Sequence, residues 1–389
     1  MEQATYLEWL NSAYENEFQT DNPTGKSCQD CHMSRDYRDE NLGVDLASLA
    51  TRIAAIQDET YPEAENLAEL RDLTVKARPE GFARHNFRGL NLFLVEMFNQ
   101  FDDILGVRKF DFMTGSMRDI EHAKADFLRQ ARNDVADVSI STHWTDAGVL
   151  EADVTIVNKV GHRFPSGVGF RRAVLAVEVV ETGTDGAADR IVWASGRVNE
   201  AGVLVDERGE PLPSEFFETN AEGKQVYQPH YEVITSPSQV QIYETLLWSA
   251  KHKFTTSFLH GCSVVKDNRL LPRGWKKEGP NPALTGHFLE ATWPKGRATQ
   301  DPRYGDSSGS DHVQYRMTLP EGIERDRVMV KAELFYQAIP PYFLKQIFDA
   351  SPKGNAAQRL HFLCGNANLD GTPIENWKLP VARDEATPK

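Results

Sequence analysis

Residues 149–157 read Val-Leu-Glu-Ala-Asp-Val-Thr-Ile-Val, a run in which apolar and polar residues alternate. Such alternation is typical of a β-strand with one buried face. Short runs of the same kind, with alternating or β-branched residues and with Gly and Asp clustered between several of them, recur along the chain. They lie at 138–141, 173–180, 191–194, 252–259, 313–319 and 328–336. Short strands separated by turn residues predict an antiparallel β-sandwich.

The N-terminal part of the chain has a different periodicity. Apolar residues recur at helical spacing over 90–104 and again over 120–135, and each set forms one amphipathic stripe. We therefore expect an α+β protein with two domains. The first is a helical domain over residues 1–136, and the second is a β-sandwich-like domain over residues 137–389.

Loops and further helices complete the expected C-terminal domain. The stretches 197–230 and 263–310 are rich in Gly, Pro and charged residues, which is typical of long, irregular surface loops. Apolar spacing predicts two helices near the C-terminus, over about 342–350 and 356–363.

The composition limits the classes of partner. The chain has 389 residues, of which 40% are hydrophobic, and a formal net charge of -14. Such a charge repels nucleic acid and anionic lipid, and it suits either a basic partner or simple solvation of the surface. No run approaches the ~18 consecutive apolar residues of a membrane-spanning helix. Of the four cysteines, Cys262 and Cys364 stand far apart in the sequence and are either two free thiols or one disulfide.

The other two cysteines belong to a short motif. Residues 27–33 read Ser-Cys-Gln-Asp-Cys-His-Met, in which Cys28, Cys31 and His32 have the spacing of a c-type haem attachment site. Each thiol can add to one vinyl group on one edge of the porphyrin, and the histidine that follows can ligate the iron from below. The motif predicts one covalent haem c, with His32 as its proximal axial ligand.

Two other interpretations of the cysteine pair compete with haem. A Cys-x-x-Cys pair can be half of a zinc site, but no second pair of Cys or His lies nearby in the sequence. It can also be a redox dithiol, which needs a preceding strand and a following helix, whereas the flanking residues here are typical of a polar loop.

Haem c attachment implies export, because it takes place outside the cytoplasm. We therefore expect a periplasmic or extracytoplasmic protein. No signal peptide follows Met1, since Glu2 and Gln3 come next and no apolar segment follows them. If the haem interpretation is correct, we therefore expect this sequence to be a mature form, a fragment or a sequence with a misplaced start.

The sixth ligand of the iron has one leading candidate. Electron-transfer haems usually carry two axial ligands, His/His or His/Met. His85 lies just before the first helical stripe and is expected to be the distal ligand, whereas Met33 is adjacent to His32 and cannot easily reach the opposite face. Phe93, Met97 and Phe101 of the stripe are expected to form an apolar wall that keeps water off the iron and tunes its potential.

Eight segments, taken together and in order, resemble the C-terminal portion of bacterial multihaem c-type cytochromes. The resemblance extends over residues 5–358, nearly the whole chain. The segments are Thr-Tyr-Leu-Glu-Trp-Leu-Asn-Ser at 5–12, Cys-Gln-Asp-Cys-His-Met at 28–33, His-Asn-Phe-Arg-Gly-Leu-Asn at 85–91, Asn-Lys-Val-Gly-His-Arg-Phe-Pro-Ser-Gly at 158–167, Arg-Arg at 171–172, Gln-Val-Gln-Ile-Tyr-Glu at 239–244, Lys-Asp-Asn-Arg-Leu-Leu-Pro at 266–272 and Tyr-Gln-Ala-Ile-Pro-Pro at 336–341.

The resemblance implies a helical haem-binding segment that leads into a β-rich C-terminal domain. It also implies that His162, at a strand end, and His230, on a long loop, are candidate ligands of a haem held elsewhere or on a partner. This chain departs from the family pattern because it has a single attachment motif. The expected partners are therefore other redox proteins or upstream haem domains.

Three classes of function follow. The first is an electron carrier with one haem and two protein ligands. The second is a haem enzyme, or a subunit of one, with an open coordination position for a small molecule. The third is a docking module, in which the β-sandwich binds a larger cytochrome complex. The sequence has no nucleophile elbow, phosphate-binding Gly loop or paired-carboxylate signature, which favours a carrier over a catalyst.

Overall fold

The structure is a computed structural model, and it describes residues 4–33, 38–39, 44–45, 51–56, 73–78, 87–109, 113, 119–184, 187–279 and 289–389. The helices among them are α1 (Thr5–Leu10), α2 (Cys28–His32), α3 (Leu92–Gln100), α4 (Asp102–Leu105), α5 (Asp119–Asp134), α6 (Pro341–Ala350) and α7 (Asn355–Asn366). The strands are β1 (Arg38–Asp39), β2 (Val44–Asp45), β3 (Thr51–Ile56), β4 (Leu73–Arg78), β5 (Ala136–Trp144), β6 (Leu150–Asn158), β7 (Arg172–Glu181), β8 (Arg190–Ser195), β9 (Val233–Ile234), β10 (Gln241–Ser249), β11 (Phe254–Thr255), β12 (Gly261–Asp267), β13 (Ser310–Met317), β14 (Val328–Gln337) and β15 (Leu379–Ala386). Helices and strands together confirm the α+β class.

Strands β5 to β15 form two sheets. One sheet has seven strands in the order β11–β10–β7–β14–β15, with β12 also paired to β10 and β8 to β7. The other has four strands in the order β5–β6–β13–β9. Neighbouring strands are antiparallel except for β13 and β9, which run parallel. The predominance of antiparallel pairs agrees with the short, turn-separated runs in the sequence.

The two sheets share one apolar core. Along β6, alternate residues are buried, as the apolar–polar alternation of this segment requires. Their side chains pack in one cluster with residues of β7, β13, β14 and β15, so the two sheets form a sandwich. Members of this cluster include Leu150, Val154, Ile156, Leu175, Val177, Val313, Tyr315, Val330, Leu334 and Val381.

Helices α3 and α5 lie on the same core. Phe93 and Met97 are buried members of the sandwich cluster, and the ring of Phe93 lies 4.6 Å from that of Trp377 between centroids. The helical stripe predicted from the sequence is therefore present, and Phe93 and Met97 pack in the protein core. Their expected role as an apolar wall beside a haem stays a prediction.

The chain divides into two compact units. The larger contains residues 1–25 and 90–389, and the smaller contains residues 26–89. The smaller unit is not helical throughout, as the sequence had suggested for residues 1–136. It contains α2 and two antiparallel strand pairs, β1 with β2 and β3 with β4. The sequence of β3, Thr-Arg-Ile-Ala-Ala-Ile, is rich in β-branched residues, which favour a strand over a helix.

The segment 197–230, predicted to be an irregular loop, contains a series of tight turns. Each turn begins with an Asn or Asp whose side-chain oxygen accepts hydrogen bonds from the backbone N–H groups two and four residues later. A Gly with positive φ lies three residues after the Asn or Asp. The three pairs are Asn199 with Gly202, Asp206 with Gly209, and Asn220 with Gly223. The polar composition thus encodes defined turn chemistry.

A buried ion pair fastens this segment to the sandwich. Both Nη atoms of Arg172, at the start of β7, donate to the Glu215 carboxylate at 2.9 Å, and Arg172 Nε donates to Gln337 at 2.7 Å. The side chains of Arg172 and Glu215 are 2% and 0% exposed. Removing one partner would leave the other charge buried and uncompensated.

We expect Glu215→Gln to lower the free energy of unfolding by about 3–5 kcal/mol, because the Arg172 guanidinium loses its buried counter-charge. Asp349→Asn is the control. It breaks the exposed Lys345–Asp349 pair, for which a loss of less than about 1 kcal/mol is expected. Urea unfolding followed by circular dichroism measures both. Equal effects of the two substitutions would contradict the assignment of Arg172–Glu215 as a fastening of the fold.

Candidate functional site

The Cys-x-x-Cys-His motif forms a helix whose start is set by its own residues. Ser27 caps α2, since its hydroxyl accepts the Asp30 N–H at 3.3 Å and the Asp30 carboxylate accepts the Ser27 N–H at 2.9 Å. This reciprocal capping box places the first helical residue at Cys28. Residues three and four apart on a helix share a face, so Cys28, Cys31 and His32 project from one side of α2.

His32 is oriented by the backbone of Arg88. Its Nδ1 lies 2.7 Å from the Arg88 carbonyl oxygen, and the Arg88 N–H donates to the His32 carbonyl at 2.9 Å. A carbonyl can only accept, so Nδ1 carries the proton, and in the neutral ring Nε2 is then the nitrogen with the lone pair. A metal-bound histidine needs this tautomer.

The donor set of the motif fits haem c. Two exposed thiols and a half-buried imidazole with a fixed tautomer share one face of a helix, as edge attachment and axial ligation require. The zinc alternative needs further ligands. Within the described ranges, the group of side chains close enough to hold a metal is His230, Asp301 and Asp311, which includes neither cysteine of the motif.

The other predicted ligands lie in different settings. His85 falls outside the described residues. His162 is half-buried, and its Nδ1 lies 2.9 Å from the Arg163 carbonyl, which assigns the proton to Nδ1 as in His32. The buried Asn158 amide donates to the His162 carbonyl at 2.9 Å and to the Leu270 carbonyl at 3.2 Å. The His162 backbone is therefore held against the chain around Leu270.

His230 is the centre of a buried polar cluster. Its Nε2 lies 3.3 Å from Asp301 Oδ2 and 3.9 Å from Asp311 Oδ1. Its Nδ1 lies 3.0 Å from Gln241 Nε2 and 3.3 Å from Asn268 Nδ2. One imidazole with two carboxylates is a donor set that metals accept, so the protonation of the ring decides between a metal site and a hydrogen-bond network.

Neighbouring groups fix the two amides. Gln241 Oε1 accepts the Tyr231 N–H at 3.0 Å and Gln241 Nε2 donates to Asp311 at 3.0 Å. The side-chain Oδ1 of Asn268 accepts the Glu244 N–H at 3.2 Å. Both NH₂ groups therefore point at His230 Nδ1, which must accept. In the neutral ring the proton is then on Nε2, facing the carboxylates, so this nitrogen has no lone pair for a metal.

The charge state of Asp301 agrees with this tautomer. Burial pushes the pKa of Asp301 upward, but the hydrogen bond from His230 and the N–H and guanidinium of Arg303 hold that pKa below its usual value. An ionised Asp301 accepts the His230 N–H. Metal binding, or haem ligation by His230, would require this network to break.

We expect NMR of ¹⁵N-labelled protein to show His230 protonated at Nε2 and unprotonated at Nδ1. Zinc at about a hundredfold excess over a site's Kd would stabilise the fold by about 2.7 kcal/mol if it bound there, and we expect no such gain from this cluster. Asp301→Asn serves as the comparison variant. A zinc-induced rise in Tm that disappears in Asp301→Asn would contradict the hydrogen-bond assignment.

Asp301 and Asp311 were not predicted as site residues. They come from a loop and from β13, 71 and 81 positions from His230 in the sequence, and no local motif surrounds them. Only the fold brings these side chains together.

Cys262 and Cys364 are free thiols in the structure. Cys262 is exposed on β12. Cys364 lies on α7, where burial raises the pKa of its thiol to about 11. The sequence allowed either a disulfide between Cys262 and Cys364 or two free thiols, and the structure has two free thiols.

Comparison with known proteins does not assign the chain to a family. No protein-family model matches the chain, and no curated protein matches it. A solved structure that matches is that of a penta-haem cytochrome c552 from Thermochromatium tepidum, with 13% sequence identity and a TM-score of 0.30. The match covers 67% of this chain and 40% of that one. A similarity of this size carries no argument about function.

Proposed function

We propose that this chain is a c-type cytochrome, or the haem-bearing part of a multihaem one, that carries electrons outside the cytoplasm through one covalent haem. The observation that carries the proposal is the pairing of the attachment spacing with the tautomer of the ligand. Cys28, Cys31 and His32 share one helix face, and the Arg88 carbonyl fixes the His32 ring for coordination through Nε2.

Each group of the motif has a defined role in this proposal. The Cys28 and Cys31 thiols form the thioether links, and the capping box of Ser27 and Asp30 keeps them on one turn. The Arg88 carbonyl accepts the His32 Nδ1 proton, which raises the basicity of Nε2 toward iron. When bound, the haem supplies one-electron Fe(III)/Fe(II) chemistry at a potential set by its ligands and surroundings.

The proposed haem chemistry also suggests which partners the protein has and in which compartment it works. A single haem exchanges electrons with another redox centre, so other redox proteins or upstream haem domains are the proposed partners. Covalent haem attachment implies a periplasmic or other extracytoplasmic location. No helix in the described part of the chain is long and apolar enough to cross a membrane. His162, with its proton on Nδ1, is a second candidate ligand for a haem supplied by a partner.

We expect the exported protein, made with the haem maturation machinery, to be coloured and to gain the mass of one haem. The Cys28→Ala, Cys31→Ala double variant should lose both the colour and the mass increment. The Cys262→Ala, Cys364→Ala double variant is the matched control and should keep both. A pyridine haemochrome spectrum and intact mass measure type and number of haems. A wild-type protein with the mass of the bare polypeptide would refute the proposal.

The distal ligand is tested separately. If His85 closes the sixth position, His85→Ala should convert the iron from low to high spin and let carbon monoxide bind, because a ligand position opens. His143→Ala, at an exposed histidine on β5, should leave the spectrum unchanged. An unchanged low-spin spectrum in His85→Ala would exclude His85. Carbon monoxide binding to the unmodified protein would favour a haem enzyme with an open position over a carrier.

A further inference from the structure

Two large apolar side chains project from a tight turn in the larger unit. The turn connects β11 to β12, and the His260 N–H donates to the Ser257 carbonyl at 3.1 Å, which closes a β-turn over residues 257–260. Phe258 and Leu259 occupy its two central positions. Phe258 is 46% exposed and Leu259 is 95% exposed, the largest fraction among the large apolar side chains that the structure describes. We call residues 257–260 the apolar turn.

The residues of the apolar turn depart from ordinary turn chemistry. The central positions of exposed turns usually hold Gly, Pro, Asn, Asp or Ser. Single exposed apolar residues are common on protein surfaces and need no explanation, but here two are adjacent at the tip of one turn. Positions that break a local rule without a gain in packing are candidates for function.

Hydrogen bonds to α6 hold the base of the apolar turn. Gln346 Oε1 accepts the backbone N–H and the hydroxyl of Thr256 at 2.9 and 3.0 Å, and Gln346 Nε2 donates to the Phe254 carbonyl at 3.4 Å. The Gly261 N–H donates to the Ser257 carbonyl at 3.0 Å on the other side of the turn. The backbone beneath the exposed side chains is therefore fixed, so little ordering is needed when a partner buries them.

A second turn, over residues 249–253, lies at the same end of β10. Gly261, which follows the apolar turn, pairs with Ser249, and the Ser249 N–H donates to the Lys253 carbonyl at 2.9 Å. Lys251 and Lys253 are exposed. In the described part of the chain, no carboxylate lies within 4.0 Å of either ammonium group. We call residues 249–253 the cationic turn.

The charge around the two turns differs from that of the whole chain. Residues 245–265 include both turns and contain two Lys, two His and no Asp or Glu, whereas the complete sequence contains 43 Lys or Arg and 57 Asp or Glu. Other segments contribute carboxylates here. Glu290 lines the same cleft as Phe258, and Asp349 of α6 is paired with Lys345. This end of the sheet is thus far less acidic than the rest of the protein.

An apolar tip beside exposed cations matches the chemistry of an anionic bilayer. Such a bilayer carries negative headgroups above hydrocarbon, so Lys and large apolar side chains both gain on contact, at different depths. A projecting side chain enters lipid without a shaped pocket, whereas a protein partner has to provide one. Anionic lipid repels the acidic remainder of the chain, but at physiological ionic strength this repulsion is largely screened beyond about 8 Å.

We propose that the apolar turn and the cationic turn dock the protein reversibly on a bilayer that contains anionic lipid. Leu259 and the exposed part of Phe258 enter the interfacial region, and Lys251 and Lys253 contact headgroup phosphates. Two apolar side chains and two cations give weak binding, with a partition constant of about 10⁴ M⁻¹, as for a single myristoyl chain. Docking of this strength holds the protein near a membrane and still allows it to leave.

Sedimentation with sucrose-loaded vesicles tests the proposal on the full-length protein. One set of vesicles contains phosphatidylcholine alone, and the other also contains about 30% phosphatidylglycerol, which is anionic. We expect half of the protein to bind the anionic set at about 0.1 mM accessible lipid. Binding should weaken when salt is raised from about 50 to about 300 mM, because the screening length shortens. Binding to the neutral set should be much weaker.

Substitutions in the apolar turn should change binding in both directions. Leu259→Ser removes an exposed apolar side chain without changing the charge and should weaken binding about tenfold. Leu259→Trp should tighten it, because the Trp side chain is favoured at membrane interfaces. Ile191→Ser, at a residue of β8 that is 44% exposed, is the control and should bind like the unmodified protein. All three positions are exposed, so Tm should stay unchanged.

Substitutions in the cationic turn test the contribution of charge. Lys251→Gln with Lys253→Gln should weaken binding to the anionic vesicles about tenfold or more and leave binding to the neutral vesicles unchanged. Arg132→Gln with Arg208→Gln makes the same change in net charge at two other exposed residues, one on α5 and one in the turn that begins at Asp206. This second pair should have a smaller effect.

Any of three results would overturn the proposal. They are absence of binding to anionic vesicles at about 2 mM lipid, well above the expected midpoint, unchanged binding of Leu259→Ser, and equal effects of the two charge-neutralising pairs. Self-association that Leu259→Ser abolishes, without vesicle binding, would assign the apolar turn to a contact with a second copy instead. Because sedimentation does not depend on haem, failure here leaves the cytochrome proposal unaffected.

Discussion

Four charged side chains, three buried and one partly exposed, hold the larger unit together at the point where three distant segments meet. The guanidinium of Arg163 is fully buried and pairs with Asp267 at the end of β12. Arg269 donates to the same carboxylate through two bonds of 2.9 Å and lies 3.2 Å from Glu8 of α1. The Arg163 backbone N–H also donates to Glu8 at 3.2 Å. The two positive and two negative groups balance. If any one of these segments moved away, at least one buried charge would remain without a counter-charge.

This constraint explains why α1 belongs to the sandwich although it precedes the strands by more than a hundred residues. Glu8 is 1% exposed, a burial that a carboxylate tolerates only when it is paired. The following turn is fixed as well, since Asn22 and Thr24 both donate to the Ala13 carbonyl, at 2.9 and 2.7 Å. Hydrogen bonds thus hold the chain from α1 to Thr24, and the Cys28–His32 segment begins with its own capping box.

What the sequence could predict follows from the range of the interactions involved. Strand alternation, as in β6, is local, and the residues predict it correctly. The spacing of Cys28 to His32 is local as well, and its role in haem attachment stays a prediction. The tight turns of 197–230 are also local, and their Asn/Asp–Gly signals predict turns within a segment whose overall composition predicts an irregular loop. The carboxylate partners of Arg163 and His230 are 71 to 155 positions away in the sequence, so the burial of these side chains could not be derived before the fold was known.

The protonation of the histidines also depends on contacts that the sequence does not reveal. His32 and His230 are identical side chains, and both were considered as ligands. At His32 the neighbour of Nδ1 is a backbone carbonyl. Every residue has such an acceptor, so the identities of the side chains do not predict this contact. At His230 the neighbours of Nδ1 are two amide NH₂ groups, which are donors. The proton therefore sits on opposite nitrogens in the two rings. That difference, more than exposure or residue type, makes His32 suitable as an iron ligand and His230 suitable as a hydrogen-bond donor to Asp301.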